Sequence, residues 1–206
     1  MNQELTPLQR DAITELLNIG VGRVAAALSE MVDQEVGLSV PNLDFIPRSS
    51  MPELLGDDFG DRITLLKQHF AGAFWGDALL IFPEDRSMDI VREVMGTLAL
   101  DSIGELEQEA LTEVGNVILN ACIGGLANAF GVETECALPD FIQSATDVIF
   151  AAPAEGEEPV VMVLRMVFTI EERDIKGYLA FVLDGNALDT FLGHVERFLT
   201  GEGVVE

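Results

Sequence analysis

The same pattern of polar residues occurs twice in this chain, 98 residues apart, and this repeat constrains the fold more than any other feature. The first copy consists of Asp11, Glu15, Asn18 and Pro41. The second copy consists of Glu109, Glu113, Asn116 and Pro139, with the same spacing from asparagine to proline. The repeat predicts one domain over residues 1–206, made of two similar halves at about 1–100 and 101–206.

The first copy lies on a predicted amphipathic helix over residues 6–31, TPLQRDAITELLNIGVGRVAAALSEM. At about 100° per residue, one broad apolar stripe is expected to face the core. The stripe contains Ile13, Leu16, Leu17, Gly20, Val24, Ala27, Leu28 and Met31. Asp11, Glu15 and Asn18 fall on the opposite face, and Gly22 beside them leaves room for a partner to approach. Thr6 and Gln9 form a Thr-x-x-Gln capping box at the start of the helix.

The second copy lies on a predicted helix over residues 105–130, which Ser102 and Glu105 introduce as a Ser-x-x-Glu capping box. Its apolar stripe contains Leu111, Val114, Ile118, Cys122, Leu126 and Ala129. Its polar face contains Glu109, Glu113, Asn116 and Asn120. Both helices therefore present carboxylates and amides away from the core, and Asp11, Gly22, Glu109 and Asn120 are predicted to contact a partner.

The same elements are predicted to follow each helix. In the first half these are a strand over 35–46 broken at Pro41, a loop over 47–62, a hairpin of 63–74 and 77–82, and a helix over 86–96. In the second half they are a strand over 132–143, a loop over 152–158, a hairpin of 159–170 and 175–183, a helix over 186–199 and a loose tail. The predicted fold class is α/β (α+β), with one mixed or antiparallel sheet covered by helices and two long outer helices related by a pseudo-two-fold axis.

The net charge of −25 and the pI near 4.1 argue against binding to nucleic acid or to anionic lipid. They favour a basic patch on a protein partner, although acidity that only keeps the chain soluble is an equal alternative. We predict no signal peptide and no membrane-inserted segment. The spacings of Cys122 and Cys136, and of His69 and His194, form no disulfide framework and no metal site. These features indicate a reducing cytoplasm.

A single Glu-x-x-Asn on an exposed helix face usually has no function beyond solubility. Two copies with matched spacing indicate a functional role for these side chains. An amide cannot act as a base or nucleophile, whereas it can hold a water molecule by donating and accepting hydrogen bonds. Hydrolysis of an acyl phosphate needs little more than such positioning. An exposed glutamate one turn away favours an anchor for a partner's lysine over a general base. Positive charge and Mg²⁺ would then have to come from the substrate protein.

The two copies resemble the Asp/Ser-x3-Glu-x2-Asn-x22-Pro signature of the CheC-type phosphatases, a family that includes CheC, CheX and FliY. The segments around the two copies, ELLNIGVGRVAAALSEM and LTEVGNVILNACIGGLANAF, also resemble that family. The resemblance implies hydrolysis of the aspartyl phosphate of CheY, the chemotaxis response regulator. It implies that Asn18 and Asn116 orient the attacking water and that Glu15 and Glu113 pair with the regulator's lysine. Pro41 and Pro139 would shape the edge of each site.

The second copy departs from the signature, because Glu109 stands where the signature has Asp or Ser. We expect this site to be active with altered contact geometry. Two copies indicate a CheC-like rather than a CheX-like protein, and the absence of an added domain argues against a FliY-like one. Binding of the deamidase CheD, and the choice of response regulator, stay open. A non-catalytic regulator-binding module or CheD-binding adaptor is the alternative function.

Overall fold

The computed structural model describes residues 5–32, 35–56, 59–87, 89, 105–153, 158–170 and 173–201. Its long helices are α1 (Pro7–Val32), α3 (Glu105–Phe130) and α5 (Gly185–Thr200), and its short ones α2 (Met51–Leu55) and α4 (Thr146–Ile149). The strands are β1 (Val36–Pro47), β2 (Arg62–Gly72), β3 (Gly76–Pro83), β4 (Thr134–Cys136), β5 (Asp140–Ala145), β6 (Val160–Ile170) and β7 (Arg173–Leu183). The predicted mixture of helices and antiparallel strands is confirmed.

The strands form one antiparallel seven-stranded sheet in the order β1-β6-β7-β3-β2-β4, with β5 also paired to β2. The hairpins β2–β3 and β6–β7 meet at the centre, where β3 pairs with β7. The first strand of each half does not pair with its own hairpin. It pairs instead with the hairpin of the other half: β1 pairs with β6, and the divided strand β4 and β5 pairs with β2. This exchange makes the sheet continuous across the two halves.

The strand registers follow the 98-residue offset of the sequence repeat. Asn42 lies opposite Arg165, and the residues that stand 98 positions away, Asp140 and Lys67, are also opposite each other. The register of β1 shifts between Ser39 and Asn42, the segment that contains Pro41. The corresponding segment around Pro139 separates β4 from β5. A proline cannot donate to a strand ladder, so both signature prolines lie where regular pairing is interrupted.

The two sides of the sheet carry separate hydrophobic clusters. On one side, the apolar stripes of α1 and α3, with α5, cover a core that includes Leu17, Ile118 and Phe181. On the other side, the short helices cover a cluster that includes Met51, Phe59 and Phe150. The alternation of strand side chains produces this division, since Leu65 joins the second cluster and Leu66 the first.

The long helices pack closely where they cross. A Cβ atom at Gly20 would lie 3.1 Å from the carbonyl oxygen of Ala121 on α3. The predicted apolar stripes are buried at the described positions except Ala129, which is half-buried. Burial raises the pKa of Cys122 to about 12. The predicted capping box is also present, since the backbone N–H of Gln9 donates to Thr6 Oγ1 at 3.2 Å. The side chains of Ala27 and Met31 lie outside the described part.

Residues 7–30 of α1 and residues 108–130 of α3 are long and apolar enough to cross a membrane by length and composition alone. Each is roughly half buried inside the protein, as core helices are. The expectation of no membrane-inserted segment therefore stays a prediction.

Three connections differ from the sequence prediction. The loop predicted over 47–62 contains a 3-10 turn at Arg48–Ser50 and the helix α2. The single strand predicted over 132–143 is divided into β4 and β5, and α4 follows it. The segment predicted as a helix over 86–96 is helical at 84–87 and 89, and its other positions lie outside the described residues. Ser102 and most of the predicted acidic loop and tail also lie outside the described residues.

Candidate functional site

Face one, which we define as Asp11, Glu15, Asn18 and Gly22, lies along α1. Asp11, Glu15 and Gly22 are exposed, whereas Asn18 is half-buried and has a contact of its own. A Cβ atom at Gly22 would meet no atom within 4 Å. Beside this face the Arg10 guanidinium donates to the Leu43 carbonyl, which ties the helix to β1.

Face two, which we define as Glu109, Glu113, Asn116 and Asn120, lies along α3. Both glutamates and Asn120 are exposed, and Asn116 is half-buried. The sequence predicts four outward side chains on this face. In the structure the two carboxylates face outward, as predicted. The Asn116 carboxamide lies at the boundary of the core and is hydrogen-bonded to other side chains.

The oxygen of Asn116 accepts two side-chain hydrogen bonds. Asn120 Nδ2 donates to Asn116 Oδ1 at 2.7 Å, and Gln68 Nε2 on β2 donates to the same oxygen at 3.3 Å. Gln68 Nε2 also donates to Asn120 Oδ1 at 3.2 Å and to the Ala137 carbonyl at 2.7 Å. A carboxamide oxygen has two lone pairs, so these two donors fill the acceptor capacity of Asn116.

Gln68 was not among the residues predicted from sequence. Its side chain is fully buried, and its Oε1 atom has no hydrogen-bond partner among the described residues. The signal for it is strand alternation, because Gln68 stands between Leu66 and Phe70 on the side of β2 that faces the core. A glutamine at an inward position of a strand needs buried polar partners, and face two supplies them.

Gly115 allows α3 to approach β2 at this point. A Cβ atom at Gly115 would overlap with the Leu66 side chain, so a larger residue there would require Leu66 to move. Since Asn116 is the next residue, the close approach brings its side chain within hydrogen-bond distance of Gln68 on β2.

The interrupted pairing around Pro139 also contributes to face two. Residues 137–139 form no regular strand, and Pro139 is buried. The Ala137 N–H still donates to the His69 carbonyl at 2.9 Å, while the Ala137 carbonyl accepts from Gln68. The role of the second proline in shaping the edge of the site stays a prediction. The side chain of Pro41 lies outside the described residues.

Exposed leucines accompany both faces at equivalent positions. Leu8 is 62% exposed and Leu106, which stands 98 residues later, is 55% exposed. Each begins the outward row of its helix, one turn before Asp11 or Glu109. Leu138, beside face two, is 80% exposed. Single exposed apolar side chains are common on protein surfaces, so it is the equivalent positions of Leu8 and Leu106 that link them to the two faces.

Neither face has the groups of a metal or covalent site. Among the described residues, no group of three or more His, Cys, Asp or Glu side chains could hold a metal ion. His69 pairs with Asp77, and His194 packs against Phe130. The chemistry available at each face is therefore hydrogen bonding by an amide and ion pairing by carboxylates.

The relatives that match this chain in sequence are named as flagellar and chemotaxis proteins. FliY, the flagellar motor switch phosphatase of Bacillus subtilis, is 28% identical over 140 residues, which are 66% of this chain and 36% of FliY. The putative CheY-P phosphatase CheC1 of Halobacterium salinarum is 24% identical over 73% of this chain and 77% of its own length. The CheY-P phosphatase CheC of Bacillus subtilis is 21% identical over 88% of this chain and 90% of its own length.

Solved structures share the fold. FliY of Thermotoga maritima has a TM-score of 0.75 at 18% identity, over 94% of this chain and 98% of that one. The FliM middle domain of Helicobacter pylori has a TM-score of 0.67 at 6% identity, over 92% and 99%. No family model matches the chain. The relatives named FliY and CheC nevertheless confirm the resemblance that the two signatures predict.

Proposed function

We propose that this protein hydrolyses the aspartyl phosphate of a CheY-like response regulator, with one site on α1 and one on α3. The observation that carries the proposal is the repeated pairing of an exposed glutamate with a half-buried asparagine one turn away, on two helices of the same fold. Relatives along most of the chain are named CheY-P phosphatases.

In this proposal Asn18 and Asn116 orient the water that attacks the phosphorus atom. An acyl phosphate has a good leaving group and a loose transition state, so positioning supplies most of the rate enhancement. The amide does not take the proton of the water. The regulator carries the Mg²⁺ and the cationic groups that balance the phosphoryl charge.

Glu15 and Glu113 anchor the regulator by pairing with its active-site lysine. Both glutamates are exposed, so their contribution comes from an ion pair formed on docking rather than from a buried acid. Asp11 and Glu109, one turn earlier, extend the negative charge of each face. Leu8 and Leu106 supply apolar contact at the start of each face, and Gly22 leaves space beside Asn18.

A time course of dephosphorylation tests the proposal directly. A phosphorylated CheY-like regulator is mixed with a substoichiometric amount of this protein, and the remaining phosphorylated regulator is measured. We expect loss of phosphate faster than spontaneous decay, with several regulators processed by each molecule. Decay at the spontaneous rate would contradict the proposal.

A second candidate function is a module that binds the regulator without catalysis, or an adaptor for CheD. The observation in its favour is the shared fold with the FliM middle domain, since one fold can serve different functions. This candidate predicts that immobilised protein retains the phosphorylated regulator while its phosphate decays at the spontaneous rate.

A further inference from the structure

We propose that Gln68 and Asn120 are positioning residues that hold the Asn116 carboxamide with its oxygen inward and its NH₂ group outward, so that face two acts as a preorganised donor to the reacting phosphate or water. This inference rests on the proposed function and adds the orientation of the amide and a difference between the two faces. Neither residue is expected to touch the phosphate.

The orientation follows from a chain of fixed donors. The Ala137 carbonyl can only accept, so the group of Gln68 that faces it at 2.7 Å must be its NH₂. That NH₂ then also faces the oxygens of Asn116 and Asn120 at 3.3 and 3.2 Å. The Asn120 NH₂ completes the arrangement by donating to Asn116 Oδ1 at 2.7 Å. A backbone carbonyl therefore sets the direction of three consecutive side-chain amides.

The remaining hydrogen-bonding capacity of Asn116 is its Nδ2 group. Among the described residues, no hydrogen bond from Asn116 Nδ2 is present. A fixed N–H donor aimed at a phosphoryl oxygen or at water stabilises the transition state without reorganisation. Asn116 is half-buried, so its outward group remains accessible to a docked regulator.

The sequence repeat supplies a built-in contrast. The residue that stands 98 positions before Asn120 is Gly22, and the residue 98 positions after Gln68 is Met166, which is fully buried. The matched strand registers make Gln68 and Met166 structurally equivalent. Neither glycine nor methionine has a side-chain N–H, so face one lacks both donors that fix the amide of face two.

The two faces also differ in how closely the helix approaches the strand. Gly115 precedes Asn116, whereas the equivalent residue before Asn18 is the buried Leu17. The absence of a side chain at Gly115 brings α3 against Leu66 of β2, where Gln68 can reach it. Three sequence differences between the halves therefore act together on Asn116. Two of them, at Gly115 and Asn120, lie on α3, and the third, at Gln68, lies on β2.

The test uses variants that isolate each face. In an Asn18→Ala background, where face two supplies the activity, we expect Asn120→Ala to lower kcat about fivefold with KM unchanged, as for loss of one or two hydrogen bonds. Gln68→Met, which introduces the residue of face one, should have a similar effect. Combined, the two substitutions should lower kcat by less than the product of their single effects, because they act on the same amide.

Asn128→Ala is the matched control, since Asn128 is an exposed asparagine farther along α3. It should leave kcat unchanged. Asn120→Ala should also preserve the fold, because alanine favours helix and the position is exposed. Introduced into an Asn116→Ala background, Asn120→Ala and Gln68→Met should not change the activity that face one supplies.

Side-chain ¹⁵N relaxation of Asn116 tests the orientation independently of catalysis. We expect a rigid carboxamide in the native protein and a mobile one in Asn120→Ala. An equally mobile Asn116 amide in both proteins would overturn the inference, even if no phosphatase activity were found. Unchanged or increased kcat in the Asn18→Ala background, an inactive Asn18→Ala protein, or equal losses in the Asn116→Ala background would also overturn it.

Discussion

The two polar faces share their sequence signature but not their surroundings. Face one carries Asp11, Glu15 and Asn18 with an open glycine at the next turn. Face two carries Glu109, Glu113 and Asn116, and the asparagine is bonded to Asn120 and Gln68. The glutamates are exposed on both helices, so the difference between the faces concerns the asparagine and its neighbours.

This difference shows how a repeated signature can occupy two environments in one molecule. The spacing of Glu and Asn is set within each helix and is therefore retained. The partners of the asparagine come from the strand beneath and from the next helical turn, and those positions have diverged. We infer that docking is similar at the two faces, whereas Gln68 and Asn120 set the orientation of the amide at face two only.

The largest expected effect separates the two asparagines. We expect Asn116→Ala to lower the rate of regulator dephosphorylation about tenfold and Asn18→Ala to lower it by only about a tenth, because the rates of the two faces add and a preorganised group contributes more to the transition state. Single-turnover measurements with excess protein would give both values. Equal losses, or a greater loss for Asn18→Ala, would remove the functional distinction between the faces.

Charge reversal of the anchors should give equal effects at the two faces. We expect Glu15→Lys in an Asn116→Ala background, and Glu113→Lys in an Asn18→Ala background, each to raise KM about tenfold, because repulsion replaces an interfacial ion pair. The matched control is Glu53→Lys, an exposed glutamate of α2 on the other side of the sheet. An increase in KM at only one face would show that docking also differs.

A smaller effect is expected from the exposed leucines. We expect Leu8→Asn in the Asn116→Ala background and Leu106→Asn in the Asn18→Ala background each to raise KM about threefold, because each side chain loses part of its apolar burial on docking. Neither change should alter the unfolding temperature by much, since both positions are more than half exposed. Val148→Asn, at a 66% exposed position of α4, serves as the control and should leave KM unchanged.

His194 lies on α5, away from both faces, so its substitution should change the stability of the protein and not the activity of either face. Burial, with the nearby Arg197, holds the pKa of His194 below its usual value, so the folded protein favours the neutral ring. Its stabilising contribution is present above the ordinary histidine pKa and decreases as the pH falls below about 6.5. We expect His194→Phe to reduce the loss of unfolding free energy between pH 7 and pH 5. An unchanged pH dependence would contradict this assignment.

The architecture was largely predictable because its signals are local. Helix periodicity and the Thr6–Gln9 capping box define α1, and the hairpins follow from apolar runs around short turns. The exchange of first strands between the halves was not predictable. Pairing within a half and pairing between halves are both compatible with the same alternation of buried and exposed side chains along the strands. The short helices α2 and α4 were missed because so few residues carry little periodicity.

The candidate site was predictable to the level of its helix faces. The spacing of Glu113 and Asn116 places both on one side of α3, and their accessibility follows from the apolar stripe opposite. The role of Gln68 depends on which strand lies beneath that helix and on the close approach at Gly115. Those are tertiary contacts between residues 48 positions apart, which helix periodicity does not specify.

The central claim is that two asparagines carry the hydrolysis, and its most direct test is the Asn18→Ala/Asn116→Ala double variant. Phosphate release from a phosphorylated CheY-like regulator should fall to the spontaneous rate, while circular dichroism and regulator binding through Glu15 and Glu113 are retained. Release at the rate of the native protein from a folded double variant would contradict the claim.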